Sequence, residues 1–297
     1  MARCRALAIP PAWRDVWICP AANGHLQAVG TDAAGRRQYL YHPTWRERRD
    51  KAKHDRVLEV AARLPAARKA AARHLALPGM PRERALATAF RLLELGFFRV
   101  GGEEYAEANG SYGLATIEKR HVHIKGDTIV FDYPSKSGQE RLVAVADPVV
   151  REVVAELRRR RGGGVELLAY RNSRRWHDVS SADINGYLKE LVGCEVSAKD
   201  FRTWHGTVLA AVALAAEDAT SARSRTARAK AVRRAIEEVA GYLGNTAAVS
   251  RKSYVDPRIV DHFEAGETIA PVLRRLSSKS PDRLERVERA VLRLLRN

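Results

Sequence analysis

Short strand-like runs separated by turn residues fill the first forty positions, and from about residue 44 apolar positions recur at helical spacing. Val16-Trp17-Ile18-Cys19 and His25-Leu26-Gln27-Ala28-Val29 predict two short strands divided by a turn at Pro20, Asn23 and Gly24. A third strand, 36–41, follows a turn at 30–35; alternation puts Arg37, Tyr39 and Tyr41 on one face and Arg36, Gln38 and Leu40 on the other. Thr44 is the expected cap of a charged helix running through Arg46, Arg49 and Lys53 toward Val57, Val60 and Ala61, and an Ala/Arg-rich helical pattern continues over 63–79. Ala85, Ala89, Leu92 and Leu93 predict another helix from Pro81, ended by Gly96. Strands are expected at 114–117, 121–125, 128–133 and 140–146, with Gly126-Asp127 as a hairpin turn and Lys136 at the tip of the next hairpin. Helices then dominate, at 148–161, 181–192, 232–243 and 257–265, and at 282–296 with Leu284, Val287, Val291 and Leu294 inward. Ser197-Ala198-Lys199-Asp200 has the form of a capping box and starts a helix holding Phe201, Arg202, Trp204 and the apolar run 207–216. The Ser/Ala/Arg-rich residues 217–232 read as a loop. The expected fold class is α+β, with a small antiparallel β-rich domain over 1–49 and a larger, mainly helical domain over 50–297 that contains a small antiparallel sheet.

Charge sharpens this picture. The 297 residues carry 52 Lys+Arg against 35 Asp+Glu, a net charge of +17 spread along the chain, which points to a polyanionic partner. Cys4, Cys19 and Cys194 form no pairing pattern, so reduced thiols are expected, with neither disulfides nor a zinc site. Residues 1–13 lack an apolar signal core, and the longest apolar run, 207–216, is about half a membrane span. A soluble cytoplasmic protein is the expectation. His121 and His123 share a strand face without a third ligand nearby, so no metal site is expected there.

Candidate chemistry centres on Leu243 to Tyr254. Gly244 is placed to close one helix, and Asn245 and Thr246 to cap another that carries Ser250, Arg251 and Lys252 and delivers Tyr254 before the Asp256-Pro257 break. A tyrosine beside cations is a candidate nucleophile toward a phosphate, although taken alone that signal is weak and such a tyrosine reads first as a packing residue. Arg99 leaves a buried helix beside Gly101 and Gly102, where its fork can approach a ligand closely. Lys199 and Arg202 are neighbours on one face at a helix's positive end, an arrangement suited to an anion. Arg36, Arg37, Gln38, Tyr39 and Tyr41 suit phosphates and base edges, while an ordinary half-buried strand fits the same pattern at least as well.

In order, the chain offers Gly-Arg-Arg-Gln-Tyr-x-Tyr (35–41), Phe-Phe-Arg-x-Gly (97–101), Ser-Lys-Ser-Gly (135–138), Lys-Asp-Phe-Arg-Thr (199–203) and Gly-Asn-Thr-x-x-x-Ser-Arg-Lys-x-Tyr (244–254). This set resembles the poxvirus-like type IB DNA topoisomerases and their bacterial relatives. The resemblance implies Tyr254 as nucleophile, Arg99 and Arg202 as a phosphate clamp and Lys136 as proton donor to the leaving oxygen. It makes Asn245 a donor to a nonbridging oxygen and Lys199 a second cation near the scissile phosphate. Gln38, Tyr39, Tyr41 and Tyr105 become DNA contacts beside Arg36 and Arg37. It further implies a monomeric two-domain clamp on double-stranded DNA in the nucleoid. That enzyme nicks one strand through a 3′-phosphotyrosyl intermediate, relaxes supercoils and religates, with no metal, cofactor or nucleotide; the sequence has no Walker-type glycine loop. The chain departs from the viral pattern at Asn245, where histidine is usual, at Gly102 and Glu104, where lysines are usual, and at 217–232, which looks like an insertion. Two alternatives stand beside this reading: a tyrosine recombinase, which normally has His where Lys199 stands, and a non-catalytic DNA-binding protein of the same fold.

Overall fold

Residues 2–103, 106, 110–217, 224–277 and 280–296 are described by a computed structural model, in which the chain divides into two units, Met1–Arg56 and Val57–Asn297. In the first, a short helix α1 (Ala2–Ala6) precedes β1 (Arg14–Ile18), β2 (Leu26–Thr31) and β3 (Arg37–Tyr41), an antiparallel sheet in that order. Trp17 pairs with Val29 and Val29 with Tyr39, which sets the three side by side on one face. The β2–β3 turn is built by Asp32, whose carboxylate accepts from the backbone N–H groups of Ala34 and Arg36 at 2.9 and 3.0 Å. Next comes α2 (Pro43–Leu75), one continuous helix of 33 residues that begins in the first unit and continues in the second. Its first residue is Pro43, not a position after Thr44. Proline suits that place because the first N–H of a helix has no acceptor.

The second unit adds α3 (Arg82–Gly96), then β4 (Val122–Lys125), β5 (Thr128–Ser135) and β6 (Gln139–Val145) as an antiparallel sheet in that order, and α4 (Pro148–Arg159). After a hairpin of β7 (Ala169–Asn172) and β8 (Arg175–Asp178) come α5 (Ser181–Val192), α6 (Ala198–Ala216), α7 (Arg225–Leu243) and α8 (Ala247–Ser253). Then α9 (Pro257–Glu264), α10 (Ala270–Leu273) and α11 (Arg283–Arg296) complete the chain. No helix among the described residues is long and apolar enough to cross a membrane. The core gathers Leu64, Phe90, Phe131, Leu157, Phe201, Trp204, Val239 and Val291. Helix α6 runs through it, buried around most of its circumference and packed against α3, α5, α7, α9, α10 and α11.

Several elements differ from the sequence expectation. Residues 114–117 form a turn, not a strand: Leu114 and Ala115 donate their N–H groups to Arg99 and Val100 carbonyls at 2.8 and 2.7 Å. The β7–β8 hairpin was not anticipated. Helix α7 begins at Arg225, capped by Ser224, whose hydroxyl accepts from Ala227 N–H at 3.1 Å; the expected loop over 217–232 is therefore helical from 225, and 218–223 lie outside the described residues. Its first two turns hold Ala, Arg and Lys, which favour helix but show no aliphatic periodicity. In α11 the expected inward Leu284 is exposed, while Glu288 is only 6% exposed.

Glu288 accepts from Arg68 Nη2 at 2.9 Å and from Trp204 Nε1 at 3.0 Å, and Arg68 Nε donates to Glu94 at 2.7 Å. Burial works against the Arg68 charge, but the two carboxylates outweigh it and hold the guanidinium pKa above its usual value. Beside Trp204, His205 is buried, and that burial pushes its pKa down to about 4 from an ordinary value near 6.5. The imidazole is thus neutral in the fold and free to take a proton only on unfolding. Its contribution to stability is complete above pH 6.5 and is lost as pH falls toward 4, by about 3 kcal/mol. Between those pH values the His205→Gln variant should lose stability less steeply than the wild type in urea titrations; identical slopes would show that the imidazole is protonated inside the fold.

Candidate active site

The capping box at the start of α6 closes as the sequence suggests, with Asp200 accepting from Ser197 N–H at 2.9 Å and from its hydroxyl at 3.0 Å. It fixes the turn that carries Lys199, exposed, and Arg202, only 3% exposed. The Arg202 fork donates to two backbone carbonyls, Phe97 through Nη1 and Leu243 through Nη2 at 2.8 Å. Its guanidinium lies 5.1 Å from the centre of the Tyr254 ring. Burial lowers the Arg202 pKa to about 10, with Tyr254 opposing and Arg99 reinforcing the shift, so the group stays charged at neutral pH.

Phe97 explains part of this geometry. Helix α3 ends at Gly96 as expected, but the left-handed cap falls one residue later: Gly96 is helical and buried beneath the Phe98 ring, and Phe97 closes the helix with φ 53°. That left-handed conformation costs a side-chain-bearing residue roughly 1–2 kcal/mol, and here the Phe97 carbonyl accepts from Arg202. Two residues on, the backbone of Arg99 and Val100 bonds to Leu114 and Ala115. Gly101 (φ 86°) meets Gly113 there, where an added Cβ would stand 2.9 Å from the Gly113 Cα, so only glycine allows the contact. The Arg99 side chain donates through Nη2 to the Gly244 carbonyl at 3.0 Å and to Asn245 Oδ1 at 2.6 Å.

Gly244 (φ 60°) closes α7, and Thr246 caps α8 by accepting from Val249 N–H at 3.2 Å. Because a guanidinium can only donate, Asn245 turns its oxygen to Arg99 and its Nδ2 away. That Nδ2 is buried with no hydrogen-bond partner among the described residues, as is Arg202 Nε. Two donors are thereby left for a ligand. Tyr254 stands at the end of α8. Its carbonyl sits on Gly206 of α6, where a Cβ would come within 2.8 Å, and Thr207 Oγ1 accepts from Asp256 N–H at 3.0 Å. Lys136 lies exposed in the turn 136–138 between β5 and β6. Arg99, Lys136, Lys199, Arg202 and Tyr254 all line one cavity of about 380 Å³, and Asn245 adjoins it through Arg99.

With this arrangement in place, comparison with known families is decisive. The family described as the catalytic core of eukaryotic DNA topoisomerase I matches residues 42–267. The chain belongs to the type IB DNA topoisomerases. The N-terminal domain of bacterial DNA topoisomerase IB matches residues 1–32. DNA topoisomerase 1B of Acanthamoeba polyphaga mimivirus is 31% identical over 259 residues, covering 85% of this chain and 76% of that protein. The bacterial-type topoisomerase is therefore an isomerase, and the recombinase alternative gives way to it.

Apart from Tyr105, the remaining sequence candidates of this topoisomerase lie in the first unit, and residues 33–41 fall between the two family matches. Arg36 pairs with Asp32 at 2.8 Å, and Gln38 Nε2 donates to the same carboxylate at 2.9 Å. The Arg36 side chain, above all, holds Asp32 down to a pKa of about 2. Arg37 is exposed and Tyr39 is 47% exposed. Tyr39 stacks on Tyr41, and Tyr41 stacks at 4.4 Å on Trp45, with Arg49 4.9 Å from the Trp45 ring centre. Trp45 and Arg49 were missed as candidates; their spacing of four on one helix face was the available signal. Tyr105 lies outside the described residues. A third arginine, Arg141 of β6, was also missed; it donates to the Gly241 and Tyr242 carbonyls at the end of α7.

Proposed function

We propose that this topoisomerase grips duplex DNA with both units as a clamp and cuts one strand by transesterification. The Tyr254 phenolic oxygen attacks a backbone phosphorus and passes its proton to solvent water, the P–O5′ bond breaks, and the 5′ oxygen takes a proton from Lys136. The 3′-phosphotyrosine conserves the phosphodiester energy, the cut strand rotates about the intact one, and attack by the 5′ hydroxyl reverses the step. Charge that develops on the nonbridging oxygens meets the Arg99 and Arg202 forks, the free Nδ2 of Asn245 and Lys199. Such fixed donors act most strongly in a site shielded from water. An alkoxide is a much poorer leaving group than a phenolate, which is why a proton donor is needed, and an ammonium on a flexible stem can supply it. In the first unit, Arg36 and Arg37 meet phosphates while Gln38, Tyr39 and Tyr41 reach base edges. Tyr105 belongs to the same proposed set of contacts.

The observation that carries this reading is the convergence of a tyrosine, two arginines and two lysines on one cavity, beside buried donors that have no acceptor among the described residues. On this reading, relaxation of both positively and negatively supercoiled plasmid should proceed in excess chelator without nucleotide. Gel analysis of topoisomers tests it, and strict dependence on magnesium or ATP overturns it.

A further inference from the structure

The end of helix α7 leaves backbone carbonyls without helical partners, as every helix end does. Here successive carbonyls are met by arginines from three separate parts of the chain, a strand, a helix and the segment after α3. Arg141 of β6 donates to Gly241 at 3.4 Å and to Tyr242, Arg202 of α6 to Leu243 at 2.8 Å, and Arg99 to Gly244 at 3.0 Å. Arg99 and Arg202 line the cavity; Arg141 does not. Instead it packs behind the turn, so closely that a Cβ on Gly244 would stand 2.7 Å from its Nη1. In register, Arg141 faces Tyr133 across the β5–β6 hairpin. The turn of that hairpin holds Lys136, five residues before Arg141. On the other strand, the Pro134 carbonyl accepts from Tyr112 N–H at 2.9 Å. The hairpin is thus tied on one strand to the segment after Arg99 and on the other to the turn that receives both clamp arginines.

We infer that Arg141 is a positioning residue that docks the Lys136 hairpin onto the end of α7 and so registers the proton donor against Arg99 and Arg202. This rests on the reading of Lys136 as the acid. Without the Arg141 fork, β6 loses its polar hold on Gly241 and Tyr242, and Lys136 spends less time within reach of the 5′ oxygen. Attack by Tyr254 and charge stabilisation by Arg99 and Arg202 remain, because those two forks keep their own bonds to the Gly244 and Leu243 carbonyls.

The test is single-turnover cleavage of a short duplex with either the ordinary 5′ oxygen or a 5′-bridging sulfur at the scissile phosphate. A thiolate leaves without a proton, so the sulfur substrate bypasses general acid catalysis. Lys136→Ala should be slower by about 10²–10⁴-fold on oxygen and near wild type on sulfur. Arg141→Ala should be slower by roughly tenfold to a hundredfold on oxygen, a fraction of that full acid effect, and should also recover on sulfur. Arg141→Lys, which keeps one donor, should fall between. Arg141→Met, which keeps the packing stem, replaces Arg141→Ala in this comparison if melting temperatures show that the latter folds poorly, and should give the same pattern of loss on oxygen and recovery on sulfur. An equal Arg141 defect on both substrates, with Lys136→Ala still rescued, overturns the inference alone. Failure of sulfur to rescue Lys136→Ala overturns the acid assignment and the inference with it.

Discussion

Tyr254→Phe should reduce the covalent protein–DNA adduct to background while leaving duplex affinity within about twofold, since the change removes one hydroxyl and no charge. The phenylalanine ring retains a face for the buried Arg202 guanidinium, which lies 5.1 Å from the ring centre, so a contact worth about 2 kcal/mol at a desolvated site is largely kept. The backbone there is seated by Gly206 and by the Thr207 bond to Asp256, neither of which involves the phenolic oxygen. The loss should therefore be chemical. Rapid denaturation of labelled duplex with enzyme, followed by electrophoresis, measures the adduct, and fluorescence anisotropy measures binding. An adduct from the variant would mean that another side chain attacks the phosphate.

Arg202→Ala should fail in two ways at once, where Lys136→Ala fails in one. Removing a preorganised donor to developing charge lowers the cleavage rate by about 10²–10³-fold. It also strips acceptors from their partner, because the Phe97 and Leu243 carbonyls both receive this fork. A buried polar group left unsatisfied costs about 1–3 kcal/mol, so the melting temperature should fall as well. Lys136 is exposed in a turn, and its loss should leave stability unchanged. The 5′-bridging sulfur separates the two chemically, since it repairs a missing acid and not a missing phosphate clamp. Wild-type stability in Arg202→Ala, or rescue by sulfur equal to that of Lys136→Ala, would overturn the division of roles.

Much of the architecture was legible in the sequence because its signals are local. The Ser197–Asp200 box, Gly244, Thr246 and the Asp256-Pro257 break each declare a helix end through their own chemistry. The five residues read from motif order as nucleophile, clamp and lysines line one cavity, since reaction at a phosphate needs those residue types and few others. What escaped depends on distant partners. Nothing around position 97 announces a left-handed phenylalanine; the reason lies over a hundred residues away, at Arg202. Glu288 breaks the apolar stripe of α11 because Arg68 and Trp204 await it in the core. Arg141 sits in an ordinary strand, and only the fold brings α7 to it. The start of α7 was missed for another reason: its Ala/Arg/Lys turns form helix by propensity, without the periodic burial that sequence patterns reveal.

The three arginines at the end of α7 take backbone carbonyls, and among the described residues no carboxylate bonds to any of them. A glutamate or aspartate would also aim a guanidinium, but as a counterion it would cancel the charge it aimed and would have to be displaced by each arriving phosphate. The carbonyls are dipoles; they work as a jig, holding the forks in place while leaving their unit charges uncompensated. Among the described residues no carboxylate therefore competes at these forks with an incoming phosphate, and little reorganisation stands between the forks as held and a bound anion.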